Sequence, residues 1–185
     1  MIKLTALTPA DYRSVPWKNG GGVTTDIAGD GDVWRYSRTP ITAPGPFSDY
    51  AGFERWQVLI AGRGLVLQTP DGAIDVRRPF EPVRFNGETP ITSRLEAGPV
   101  EVLNLMGERA RVGLNLTVLG AGATQHLGRG LHIAYCPEGR ARLKVGSDNR
   151  SLAADRALRI EDAEGSALSC SAGRVVVGSI LCGSQ

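Results

Sequence analysis

The 185 residues suffice for one compact domain or two small fused halves, and a 42% hydrophobic fraction keeps the chain clear of disorder. A net charge of +2, with acids and bases interspersed, offers no electrostatic footprint for nucleic acid or an anionic membrane. No apolar run approaches the roughly 18 residues of a membrane span, and Met1 to Pro9 has no apolar stretch of signal length, so the expectation is a cytoplasmic chain without nucleic-acid or membrane partners.

In chain order, Thr8-Pro9-Ala10-Asp11 predicts one short N-terminal helix. It has a hydroxyl N-cap, Pro at N1 and an acid at N3, and it ends between Arg13 and Val15. Residues 16–26 follow, Pro-Trp-Lys-Asn-Gly-Gly-Gly-Val-Thr-Thr-Asp. Three consecutive glycines make a poor strand or helix interior, but they expose backbone N–H groups beside Lys18 and Asn19. The segment reads either as a glycine-rich turn between strands or as an anion or small-molecule site made of backbone amides and one ammonium. It is not a Walker loop: Lys18 precedes the glycines, and Val23 to Ile27 is β-branched and reads as strand.

From there the pattern is β. Val33 to Ser37 alternates, with Trp34 and Tyr36 on one face and Arg35 and Ser37 on the other. Trp56 to Ile60 and Leu65 to Gln68 form a hairpin about Ala61-Gly62-Arg63-Gly64. Thr69 to Gly72 is a turn, and Val83 to Asn86, Pro99 to Met106 and Ala110 to Leu119 supply further strands. The second half repeats the scheme. An offset of 75 residues places Gly64 on Gly139, and Glu101 to Leu105 on Val176 to Ile180. An internal duplication is expected, with residues 1–120 as one half, 121–185 as the other, and Gly120 to Gly130 as connector. Strand exchange between the halves would cover their edges.

The rarer residues narrow the chemistry. His126 and His132 fit neither a helical i, i+4 pair nor a strand i, i+2 pair, so no metal or other cofactor is expected; His132, opening an apolar run, reads as a strand residue. Cys136, Cys170 and Cys182 are odd in number and lack a Cys-x-x-Cys pair, and they read as reduced packing residues.

Residues 16–24, together with Trp34-Arg35-Tyr36-Ser37, Gly45-Pro46-Phe47-Ser48, Gly52-Phe53-Glu54-Arg55 and Leu103-Asn104-Leu105-Met106, resemble the HutD/Ves family of cupin-like proteins, in the family's order over about the first 110 residues. The resemblance implies an all-β fold, a cupin-like β-barrel duplicated as a bicupin, and an association with bacterial histidine utilisation. Asp26 stands where the family usually has Glu, one methylene longer.

Set beside the family blocks, the polar residues of the first half suggest a pocket. Lys18, Asn19, Arg35 and Arg55 come from separate segments, and together they would suit a carboxylate, Arg as a bidentate fork and Lys as a point charge. Asn104, on a strand of Val and Leu, needs a partner if buried. The candidate ligand-binding residues are Trp17, Lys18, Asn19, Gly21, Thr24, Arg35, Ser37, Arg55 and Asn104. The expected function is binding of a small anionic ligand, urocanate or a glutamate derivative, in a regulatory role. The alternative is a metal-independent isomerase or hydrolase using Lys18, Asp26 or Glu54 as acid and base. A purely structural or partner-binding role is a third class, and a homodimer is left open.

Overall fold

A computed structural model describes residues 1–17 and 21–182. Every regular element among them is a β-strand. The segment expected as a helix is a turn. Asp11 accepts from the backbone N–H of Thr8 at 2.8 Å and from its hydroxyl at 2.9 Å, and Asp11 N–H donates to the Thr8 carbonyl at 2.8 Å. The capping contacts therefore form, but the helix does not propagate. Helix nucleation is costly in so short a run, and residues from Arg13 onward are drawn into a sheet.

The chain first lays down β1 (Lys3–Leu7). Ten strands follow: β2 (Arg13–Pro16), β3 (Val23–Asp30), β4 (Trp34–Ile41), β5 (Gly45–Pro46), β6 (Phe53–Ala61), β7 (Leu65–Thr69), β8 (Gly72–Val76), β9 (Val83–Asn86), β10 (Thr92–Leu95) and β11 (Val100–Glu108). These ten belong to one compact unit, Arg13–Arg111. They form a six-stranded sheet, β2-β3-β4-β11-β6-β9, and a four-stranded sheet, β5-β10-β7-β8. Between the sheets lies an apolar core containing Ile41, Leu59, Leu65, Leu67, Val76, Phe85 and Val102. Its strands owe their pairing to alternation: one set of side chains enters this core and the other faces away.

The last eight strands are β12 (Val112–Gly120), β13 (Thr124–His126), β14 (Gly130–Cys136), β15 (Arg140–Val145), β16 (Asp148–Ala153), β17 (Arg156–Glu161), β18 (Ala167–Ala172) and β19 (Arg174–Cys182). With β1 they make the second unit, Met1–Tyr12 and Val112–Gln185. Its sheets run β1-β17-β14-β19-β12 and β13-β18-β15-β16, around a core that includes Leu143, Leu158, Ile160 and Leu168. Among the described residues, strand pairing closes on itself as a ring in neither unit.

Raising every strand number by eight turns β4-β11-β6-β9 into β12-β19-β14-β17, and β5-β10-β7-β8 into β13-β18-β15-β16. The Gly64 and Gly139 hairpins, 75 positions apart, both use left-handed backbone, at φ 81° and 62°. The unit borders differ from 1–120 and 121–185. β1 pairs along its length with β17, and β12 pairs with β19, so both belong to the second unit. Gly120 to Gly130 is more than a connector, because Thr124, Gln125 and His126 pair with β18.

Candidate functional site: a cavity above the six-stranded sheet

Register on the six-stranded sheet lines residues up in rows across β4, β11 and β6. Thr39, Val102 and Leu59 form one row, Ser37, Asn104 and Gln57 the next, and Arg35, Met106 and Arg55 the third. In the first row Leu59 and Val102 belong to the core. The other two rows turn polar and face a cavity of about 680 Å3, with Thr39 and Val102 at its edge. Trp17, Gly21, Thr24, Phe47, Asp49 and Tyr50 complete its polar and aromatic wall. Of the residues predicted from sequence, Trp17, Gly21, Thr24, Arg35, Ser37, Arg55 and Asn104 line this one cavity. Lys18 and Asn19 lie outside the described residues.

One wall is a hydrogen-bonded chain. Trp17 Nε1–H donates to Thr24 Oγ1 at 2.9 Å, and Thr24 Oγ1 lies 3.0 Å from Thr39 Oγ1. Asn104 Nδ2 donates to Thr39 Oγ1 at 3.4 Å, and Gln57 Nε2 donates to Asn104 Oδ1 at 2.9 Å. The indole is seated over Gly22, where a Cβ would come within 3.1 Å of its ring carbons. Trp17 N–H also donates to the Gly22 carbonyl at 2.9 Å, tying the two ends of the glycine-rich segment together.

The arginines differ in their company. Arg35 Nε lies 3.5 Å from Asp26 Oδ1, and its Nη2 donates to Tyr50 Oη at 3.3 Å. Asp26 is buried and also binds Arg13 Nη2 at 3.1 Å. Arg55 is 8% exposed, forms no ion pair among the described residues, and its Nε has no hydrogen-bond acceptor. Its guanidinium lies 5.2 Å from the Phe47 ring centroid, 5.4 Å from Tyr50 and 5.1 Å from Phe85. Burial pushes its pKa down to about 10; Tyr50 opposes the shift and Arg35 adds to it. The group stays charged at neutral pH, a cation held by aromatic faces and in no ion pair among the described residues.

Of the three acid–base candidates, Lys18 lies outside the described residues, and Asp26 and Glu54 do not line the cavity. Asp26 is held by its two arginines, and Glu54 accepts from Trp56 Nε1 and Arg84 Nη2, each at 2.6 Å. Among the described residues no three His, Cys, Asp or Glu side chains gather where a metal ion could be held. His132 is 1% exposed inside the second unit, on strand β14.

The sequence reading missed Gln57, Thr39, Phe47, Tyr50 and Met106 as cavity residues. The signal for Gln57 was present in Arg55-x-Gln57, two polar side chains at successive same-face positions of a strand whose next such position is Leu59.

The second unit carries the same rows with different chemistry. Asn115, Ser179 and His132 stand for Ser37, Asn104 and Gln57, and Gly113, Leu181 and Gly130 stand for Arg35, Met106 and Arg55. Both arginines are thus replaced by glycine. At Gly130 a side chain is excluded outright, because a Cβ would collide with the Ile180 carbonyl oxygen.

The chain is similar over 112 residues, at 34% identity, to an uncharacterised 21.2 kDa protein in the hutC 3′ region of Pseudomonas putida, covering 57% of this chain and 59% of that one. It is 30% identical over 105 residues to protein Ves of Escherichia fergusonii, covering 52% and 55%. It therefore spans under two thirds of the length of these relatives. Among solved structures, HutD from Pseudomonas fluorescens SBW25 superimposes with a TM-score of 0.83 at 24% identity, covering 98% of this chain and all of that one. A cupin 2 conserved barrel domain protein from Leptotrichia buccalis superimposes with a TM-score of 0.54 at 8% identity, covering 91% and 92%. These likenesses show a cupin-like all-β fold. The family model HutD matches residues 9–177, and the chain belongs to the HutD family.

Proposed function

We propose that this protein binds a small carboxylate in the cavity of residues 13–111 and acts as a regulatory component of bacterial histidine utilisation. The observation that carries the reading is Arg55, a buried cation that forms no ion pair among the described residues, opening on a cavity that also presents Arg35. A buried charge left unpaired is a standing cost to a fold, and a bound anion removes it. The metabolic setting is supported by the relative encoded in the hutC 3′ region. Urocanate and the formylated or formimino derivatives of glutamate are the ligands we favour, because each carries the anion that Arg55 and Arg35 would fork. We further propose that the two units descend from one duplicated cupin barrel, on the strength of the strand orders that repeat with an offset of eight.

Calorimetry with the best of these ligands tests the binding reading. Arg55→Met and Arg35→Met are each expected to weaken binding by about thirtyfold to several thousandfold. Arg140→Met, on an exposed position of the second unit, should leave it unchanged. Because Arg55→Met removes an unpaired buried charge, its thermal midpoint should hold or rise. Equal effects of the three substitutions would reject the cavity. Consumption of the ligand during titration would instead favour the enzyme reading.

A further inference from the structure

Gln57 is 1% exposed, and its two amide atoms meet different fates. Asn104 Nδ2 donates to Thr39 Oγ1, and Asn104 Oδ1 accepts from Gln57 Nε2. The Gln57 amide is thereby oriented, and its Oε1 has no hydrogen-bond partner among the described residues. Buried acceptors are seldom left so. The side chain belongs to the cavity wall, two positions along the same strand face from Arg55, whose Nε is likewise without an acceptor.

The second unit shows the same position completed without a ligand. There His132 and Ser179 occupy the places of Gln57 and Asn104. His132 Nε2 lies 3.0 Å from the Gly128 carbonyl, and Nδ1 lies 2.8 Å from Ser179 Oγ. A carbonyl only accepts, so Nε2 carries the hydrogen and Ser179 donates to Nδ1. That pair is internally satisfied. The pair in the cavity keeps one acceptor in reserve, beside a cation.

We propose that Gln57 determines which carboxylates the cavity takes: the ligand is an anion that also bears an N–H donor, its carboxylate on Arg55 and its N–H on Gln57 Oε1. Trp17, Phe47 and Tyr50 also line the cavity, and an aromatic lining suits a flat, unsaturated body between the two groups. This rests on the carboxylate-binding reading and adds a second recognition element to it.

Matched ring pairs separate the two. Pyrrole-2-carboxylate and furan-2-carboxylate differ in a ring N–H against a ring oxygen, as do pyrrole-3-acrylate and furan-3-acrylate at a longer spacing. In calorimetry on the wild-type chain, the pyrrole member of at least one pair is expected to bind about tenfold more tightly or better. Gln57→Met keeps the side-chain length and drops both amide atoms. It should bring that ratio to about one while moving furan binding by less than about threefold. Equal wild-type affinity within both pairs would overturn the role of Gln57 and leave carboxylate binding standing. Failure of all four probes to bind would overturn both. If Gln57→Met unfolds, the wild-type comparison decides alone.

Discussion

His132 is a histidine whose protonation the fold opposes. Burial holds its imidazolium below the usual range, only partly countered by the Gly128 carbonyl. In the unfolded chain the ring titrates near about 6.5. Above that pH it is neutral in both states and costs nothing. Below it the unfolded chain takes the proton first, so stability falls by up to about 1.4 kcal/mol per pH unit until the folded pKa is reached. We expect the urea midpoint of the wild type to drop more steeply between pH 6.5 and 5 than that of His132→Gln. Parallel slopes would show that the ring is protonated in place. At this scale the sequence was legible where a polar residue broke an apolar strand, as Arg35, Arg55 and Asn104 do. Gln57 was legible only as the same-face partner of Arg55, since Trp56 and Val58 beside it are apolar, and Tyr50, which reaches the arginines through a loop, was not legible.

At the scale of elements, the aromatic wall depends on the end of β9. Tyr50 N–H donates to the Gly87 carbonyl at 3.0 Å, and Gly87 N–H donates to the Phe53 carbonyl at 2.8 Å. A Cβ on Gly87 would collide with the Tyr50 carbonyl oxygen. Gly87→Ala should therefore displace the segment that carries Phe47 and Tyr50. We expect about 1–3 kcal/mol lower stability from the overpacking, and a dissociation constant for the best carboxylate raised about tenfold through the displaced rings. A lowered thermal midpoint with unchanged affinity would detach the rings from binding. The strands themselves were readable, because alternation and turn residues are local signals. The turn at Thr8 to Asp11 was misjudged for a non-local reason: β2 wins those following residues by pairing with β3, from Arg13 on Asp26 to Pro16 on Val23.

Across the whole molecule, the feature least visible in the sequence is that β1 serves the second unit. Its five residues alternate weakly, and its partner lies far along the chain: Lys3 pairs with Glu161 and Leu7 with Ala157. Ile2 and Leu4 pack against the core of that unit. Removing residues 1–7 should strip this packing and uncover the backbone groups of β17. The expected cost is about 2–4 kcal/mol, with concentration-dependent association through the bared strand. Thermal unfolding and gel filtration would read these, while carboxylate affinity of the folded fraction should hold, since no cavity residue comes from that segment. Retained stability and monodispersity would mean that β1 is dispensable. The same pairing has a consequence in time. A ribosome adding about 5–20 residues per second makes β1 about 8–30 seconds before β17 is complete. In that interval residues 13–111 have emerged with every strand partner they need, so the arginine-bearing cavity can be assembled co-translationally while β1 still has no mate. In a crowded polysome, an older neighbour's β17 is available to it sooner than its own.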